Sequence, residues 1–82
     1  MLNENRGEEK RKEILESIIS YIKKHGYSPT IREIGKMVNL RSTSTVSGHL
    51  EKMLREGMIE TDADIGSPRA IRVPEYEFVK KK

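Results

Sequence analysis

The chain has 82 residues and no cysteine, which suits one small domain and excludes disulfides and cysteine-ligated zinc. Its two histidines, His25 and His49, lie far apart without ligand-like spacing, so the sequence predicts no metal site and no cofactor. The net charge of +3 is compatible with nucleic acid but is common on other domains, and alone it carries little weight.

The N-terminal segment, residues 1–7, has no apolar periodicity and is predicted to be a flexible start. Because residues 1–20 are charged rather than apolar, no secretory signal is expected. No apolar run is long enough to span a membrane. We therefore expect a cytoplasmic protein without membrane contact.

The first helix is predicted from about Glu8 to His25. Apolar side chains recur along it at the helical period and form one stripe, which consists of Ile14, Leu15, Ile18, Ile19 and Ile22. Gly26 follows as a left-handed stop. His25 therefore has a structural explanation at the helix end and is not interpreted as catalytic.

The second helix is predicted to start at Thr30, because residues 30–33 match a capping box of threonine and glutamate. Its buried face consists of Ile31, Ile34 and Val38. Gly35 lies beside this face, where the missing side chain lets another helix come close. Asn39 is expected to end the helix, since asparagine tolerates the left-handed conformation of a tight turn.

The third helix is predicted from about Thr43 to Glu56, with Ser42 as its N-cap. Gly57 ends it. His49 lies beside the buried stripe, and a partly buried packing role is favoured there over base reading. The stripe itself consists of Val46, Leu50, Met53 and Leu54.

Two short strands are predicted after the helices, over residues 58–61 and 69–73, with a turn-rich link at 62–68. Pro74 closes the hairpin, and residues 75–82 are interpreted as a C-terminal tail or the start of a linker. The predicted fold is mainly α. It is a three-helix winged helix-turn-helix domain over residues 8–74, with the two-stranded β-hairpin as its wing.

The second and third helices have the outline of a helix-turn-helix, which presents its second helix to the major groove. No carboxylate occurs in residues 34–50, although 35% of the chain is charged. This window predicts a surface that approaches a negatively charged partner. The alternative is that the carboxylates are clustered elsewhere by chance. The predicted base-reading residues are small and polar, as the groove requires: Ser42, Ser44, Thr45, Ser47 and Gly48. The alternatives are capping duties for the hydroxyls and packing within the chain for Gly48.

Contacts to the DNA backbone are predicted from the cations around this helix. Arg41 lies in the turn, Arg32 and Lys36 on the exposed side of the second helix, Lys52 farther along the third helix, and Arg69 on the wing. The alternative for each of them is a solvated surface charge.

Four motifs occur in a fixed order: GYSPTIREIG at 26–35, STSTVSGHL at 42–50, GMI at 57–59 and PRAI at 68–71. Together they resemble the N-terminal DNA-binding domain of the LexA family of SOS-response repressors, in its Gram-positive form. The resemblance covers roughly Lys10 to Val73. It implies a repressor that binds palindromic operators as a homodimer. Because one small domain would bind a half-site weakly, a partner that supplies dimerisation is the alternative. The resemblance also implies base reading by the third helix and backbone contact by the wing and Arg41.

Two departures from the family bear on function. Family members usually continue into a second domain that dimerises and cleaves itself through a serine–lysine pair, and we expect no self-cleavage from the present residues. Asn39 replaces the glycine usual in the turn, and Ser47 occupies a variable position, so the operator sequence cannot be carried over.

An enzyme is not predicted, because the sequence has no phosphate loop and no nucleophile–base–acid set, and no catalytic residue is assigned. The alternative to DNA binding is a winged-helix protein-interaction module that modulates another regulator, since a fold does not fix a function.

Overall fold

Three helices precede a short antiparallel hairpin in the structure, a computed structural model that describes residues 2–61 and 69–74, with only the backbone of residues 2–6. The helices are α1 (Leu2–His25), α2 (Ile31–Met37) and α3 (Thr43–Arg55). The strands are β1 (Glu60–Thr61) and β2 (Ile71–Arg72), in a register that pairs Glu60 with Arg72 and Thr61 with Ile71. This order confirms the predicted winged helix-turn-helix.

The start of α1 differs from the prediction. The helix begins at Leu2 rather than near Glu8, and its first turns carry no apolar stripe from which periodicity could locate the start. Periodicity alone therefore placed the start too late. The flexibility of residues 1–7 stays a prediction.

The ends of α2 follow the predicted capping chemistry. The Thr30 hydroxyl accepts from the Glu33 backbone N–H at 3.1 Å, and the Thr30 N–H donates to the Glu33 carboxylate at 2.9 Å, which completes the capping box. The helix ends at Met37, and Asn39 adopts the left-handed conformation with φ 64°. Both predictions, the cap at Thr30 and the turn residue at Asn39, are confirmed.

Gly35 is the point where the turn after α2 folds back onto the helix. Its carbonyl accepts the Leu40 N–H at 2.8 Å, and a Cβ atom on Gly35 would lie 2.7 Å from the Leu40 carbonyl oxygen. The same Cβ would meet the Val46 side chain of α3 at 3.5 Å. The close approach at Gly35 therefore involves the turn backbone most tightly, and α3 also comes close there through Val46, as predicted.

Both ends of α3 are fixed by local hydrogen bonds. The Ser42 hydroxyl accepts from the Thr45 N–H at 3.3 Å, which confirms the predicted N-cap. At the other end, Gly57 has φ 79° and donates to Leu54, while Met58 donates to Met53 at 2.9 Å. These two bonds form a Schellman motif, which ends the helix and starts the chain toward β1.

One hydrophobic core lies between the helices and the base of the wing. Its fully packed members are Ile14, Ile18, Ile22, Ile34, Val38, Val46, Leu50, Met53, Ile59, Ile71 and Val73. The apolar stripes predicted for the three helices supply most of them. Burial of Ile59, Ile71 and Val73 shows that the wing base is part of this core rather than an appendage.

Both strands are shorter than predicted. β2 begins at Ile71 because Arg69 has φ 57°, a left-handed conformation that cannot continue an extended strand. The predicted turn-rich link at 62–68 and the tail at 75–82 lie outside the described residues. Within the described part of the chain, no helix is both long and apolar enough to cross a membrane.

Candidate nucleic-acid interface

The exposed face of α3 carries small polar residues at its N-terminal end. Ser44, Thr45 and Gly48 are exposed, whereas Val46 and Leu50 on the opposite side are fully buried. Ser42 is exposed directly before the helix, and Ser47 is half-buried at the edge of the face. The predicted base-reading residues therefore lie on one continuous surface, and none of them is in the core.

Gly48 has open space around it. A Cβ atom built on this residue meets no atom within 4 Å, apart from the helix backbone itself and its immediate neighbours. Glycine inside a helix is less favourable than alanine by about 1 kcal/mol. Packing within the described chain, which was the alternative interpretation of Gly48, does not explain this glycine.

A cleft lined by cations adjoins this surface. Arg32 and Lys36 of α2 line it together with Arg41 of the turn and Thr43 at the start of α3. Lys52 is exposed and follows Gly48 along the same side of α3, at the spacing of one helical turn. The structure thus brings four of the five predicted backbone-contacting residues to the edges of the proposed reading surface.

Carboxylates limit this surface at two places. Glu51 is exposed on α3, so the uncharged part of the face is its N-terminal half. Glu33 lies at the start of α2, but its carboxylate is bound by the guanidinium of Arg69 at 3.2 and 3.3 Å. The negative charge of Glu33 therefore has a positive partner.

Arg69, the fifth predicted backbone-contacting residue, is bonded within the domain. Its guanidinium donates to the Ser28 carbonyl at 2.9 Å and to the Tyr21 hydroxyl at 3.3 Å, besides the two bonds to Glu33. Its Cζ atom lies 4.6 Å from the centre of the Tyr27 ring, a cation–π distance. We call these five residues the Arg69 cluster. Sequence reasoning missed it.

Aromatic rings extend the Arg69 cluster along the end of α1. The Tyr21 and His25 rings are 4.1 Å apart, and the His25 and Tyr27 rings stack at 5.6 Å. His25 thus has ring partners at the helix end, in agreement with a structural role for it.

The pKa of Glu33 reflects the hydrogen bonds that its carboxylate accepts. That pKa falls from 4.5 to about 2, chiefly because the carboxylate accepts the Thr30 backbone N–H, and further because Arg69 bonds and attracts it. Burial opposes the shift. The charged form of Glu33 is thus favoured by folding.

This shift predicts a pH-dependent part of the stability. Because the pKa of Glu33 is lower in the folded than in the unfolded chain, its contribution is complete above 4.5 and is lost as the pH falls toward about 2. Urea unfolding of the wild-type chain and of Glu33→Gln should differ most at neutral pH and converge across that window. Glu51→Gln, on the exposed face of α3, is the control for the loss of one carboxylate. A constant gap between Glu33→Gln and the wild type would contradict the assignment.

Two cations of α1, Lys10 and Arg11, interact with the helix-turn-helix. The Lys10 ammonium donates to the Val38 carbonyl at 3.1 Å, at the C-terminal end of α2. Burial, followed by the charges of Arg11 and Lys10, lowers the pKa of His49 below 6.5. The half-buried His49 therefore adds little positive charge to the surface at neutral pH, which agrees with the packing role favoured for it.

Comparisons with known proteins point in one direction. Residues 8–70 match a family described as the LexA DNA binding domain. The chain is similar to the LexA repressor of Lacticaseibacillus casei, with 52% identity over 62 residues, which cover 76% of this chain and 29% of that protein. It is also 44% identical to the LexA repressor of Clostridium tetani over 73 residues, which cover 89% of the chain and 36% of that protein. The chain thus spans about a third of the length of these relatives.

Proposed function

Because the chain belongs to the LexA DNA-binding domain family, we propose that it binds double-stranded DNA sequence-specifically and acts as a transcriptional repressor. In this proposal α3 enters the major groove with its N-terminal end, and the hairpin wing lies on the DNA backbone. The family match is to a binding domain, and self-cleavage is not attributed to these residues.

The observation that carries the proposal is the open space at Gly48. A helix-interior glycine that contacts no other part of the described chain is unfavourable for folding. We therefore infer that Gly48 serves contact with a ligand. A base edge or sugar that approaches the α3 backbone closely would supply that advantage. The exposure of Ser44 and Thr45 on the same side supports this arrangement.

Base reading is assigned to the N-terminal half of α3. Hydroxyl groups both donate to and accept from base edges, and threonine methyls contact thymine methyls. Ser42 already accepts from the Thr45 N–H through its hydroxyl oxygen, which leaves its O–H proton for donation. The proposed base-reading residues are Ser42, Ser44, Thr45, Ser47 and Gly48.

Phosphate contacts are assigned to the cations that border this surface. Arg32, Lys36 and Arg41 line the cleft beside α3, and Lys52 extends the positive charge along the helix. Such contacts position the protein on the duplex and carry no sequence information. The fifth candidate, Arg69, is considered separately because its guanidinium is bonded inside the domain.

A palindromic operator and two bound copies complete the proposal. One small domain offers a single reading helix, and a half-site contact of this size is weak. Two copies related by a twofold axis would contact two half-sites about one helical turn, or a multiple of it, apart. Dimerisation through a partner is the other route to the same geometry.

Selection of bound duplexes from a random pool tests the proposal. We expect an enriched palindrome with one fixed half-site spacing, because base reading and dimer geometry act together. Affinity for the selected duplex should fall steeply with added salt, since each neutralised phosphate contributes a slope of about −0.9. Enrichment of no sequence at low salt would contradict the proposal. Capture of a lysate protein that persists after nuclease treatment would then favour the protein-interaction alternative.

A further inference from the structure

The described strands at the base of the wing are short. β1 and β2 are two residues long each, and the Arg72 guanidinium pairs with the Glu60 carboxylate across them at 3.4 Å. A two-residue ladder leaves the direction of a hairpin weakly defined. Burial of Ile71 and Val73 fixes the inner side of β2 and of the residue after it, but both residues come after the point where the described chain resumes, at residue 69.

Arg69 lies at that point, and the Arg69 cluster joins it to three other segments. Tyr21 belongs to α1, Tyr27 and Ser28 to the link between α1 and α2, and Glu33 to the first turn of α2. The left-handed backbone of Arg69 directs the chain from this contact into β2. A planar guanidinium suits the site, because it can donate to a carboxylate with two parallel bonds while it stacks on a ring.

We propose that Arg69 is a positioning residue of the DNA interface, which fixes the returning strand of the wing against the junction of α1 and α2 and does not itself bind phosphate. The positive charge of Arg69 is balanced by Glu33 at 3.2 Å, so the pair adds no net attraction for the DNA backbone. The inference rests on the proposed function, because the proposed function places the wing on the DNA backbone.

The salt dependence of binding separates positioning from phosphate contact. We expect Arg69→Gln to weaken binding to the selected duplex about three- to tenfold, which corresponds to the free energy of a partly exposed bidentate ion pair. The slope of affinity against salt concentration should stay unchanged. Lys36→Ala, a proposed phosphate contact, is the comparator and should reduce the slope by about one. A similar reduction for Arg69→Gln, together with rescue by Arg69→Lys, would overturn the inference.

The direction of the change in DNA affinity in Glu33→Gln also tests the inference. Glutamine keeps an oxygen for the Thr30 N–H and so preserves the capping box, but it removes the ion pair. If Arg69 acts through Glu33, affinity falls although the variant is more positively charged. If Glu33 restrains a phosphate-binding arginine, affinity rises, and the inference is wrong.

Amide hydrogen exchange provides a readout that needs no DNA. In Arg69→Gln the amides of β2 should exchange faster, while the Leu50 amide inside α3 keeps its wild-type rate. Equal acceleration at both places would indicate general destabilisation and contradict positioning. Because this measurement does not use DNA, it still decides the role of Arg69 if the wild-type chain selects no sequence, a result that would defeat only the proposed function.

Discussion

Gly48→Glu is expected to abolish the preference for the selected operator while the fold stays intact. The new side chain has room, since nothing lies within 4 Å of a Cβ at this position, and glutamate favours helix more than glycine does. In the complex, however, the same side chain would place bulk and negative charge against the floor of the groove. A ratio of specific to non-specific affinity of about a thousandfold or more should fall toward one.

A milder variant and a charge control make this result specific. Gly48→Ala should raise the free energy of unfolding by about 1 kcal/mol and still weaken operator binding, because its methyl group occupies the close approach. Ser20→Glu adds one negative charge on the exposed side of α1, away from the buried stripe, and should keep the operator preference. If Gly48→Glu binds the operator as the wild type does, α3 is not the reading helix. Fluorescence anisotropy with specific and scrambled duplexes measures all three variants.

The second large effect is expected for Gly35→Ala. This change should lower the free energy of unfolding, whereas Gly48→Ala should raise it. A Cβ atom at this position lies 2.7 Å from the Leu40 carbonyl oxygen, so the backbone of the turn must move to accept it. Overpacking of this kind destabilises by about 1–3 kcal/mol. The gain in helix propensity from glycine to alanine is about 1 kcal/mol, so the cost exceeds the gain over most of that range. We therefore expect Gly35→Ala to unfold at lower urea concentration than the wild type.

Gly35→Ala and Gly48→Ala form a matched pair. Both replace a helical glycine by alanine, so propensity is common to them and the difference reports the contact with the turn. Urea midpoints measured at one temperature give the comparison directly. An increase in stability for Gly35→Ala would mean that the turn moves without penalty, and would contradict the prediction.

Much of the fold was accessible from the sequence because its signals are local. The capping box at Thr30, the N-cap at Ser42 and the left-handed residue Asn39 each depend on neighbours three to five positions away. Helical periodicity likewise placed the apolar stripes correctly. Periodicity requires apolar residues, however, and the first turns of α1 lack an apolar stripe, which explains the late predicted start.

The candidate site was accessible only in part. The acid-free window and the hydroxyl run of α3 lie in one stretch of sequence, and that stretch folds into one surface. The partners of Arg69 are separated from it by 36 to 48 residues, and Lys10 is 28 residues from Val38. No periodicity or capping rule links positions so far apart. The hydrogen bonds of Arg69 within the domain could therefore be found only from the three-dimensional structure.

The junction between α3 and β1 has no slack. Gly57 and Met58 are bonded to the last turn of the helix, Ile59 is buried, and Glu60 already pairs with β2. Any tilt of the helix is therefore transmitted to the base of the wing without an intervening hinge. If α3 and the wing both contact DNA as proposed, α3 and the wing base would meet it in a fixed relation, and the entropy lost on association would be smaller than for two independently tethered parts.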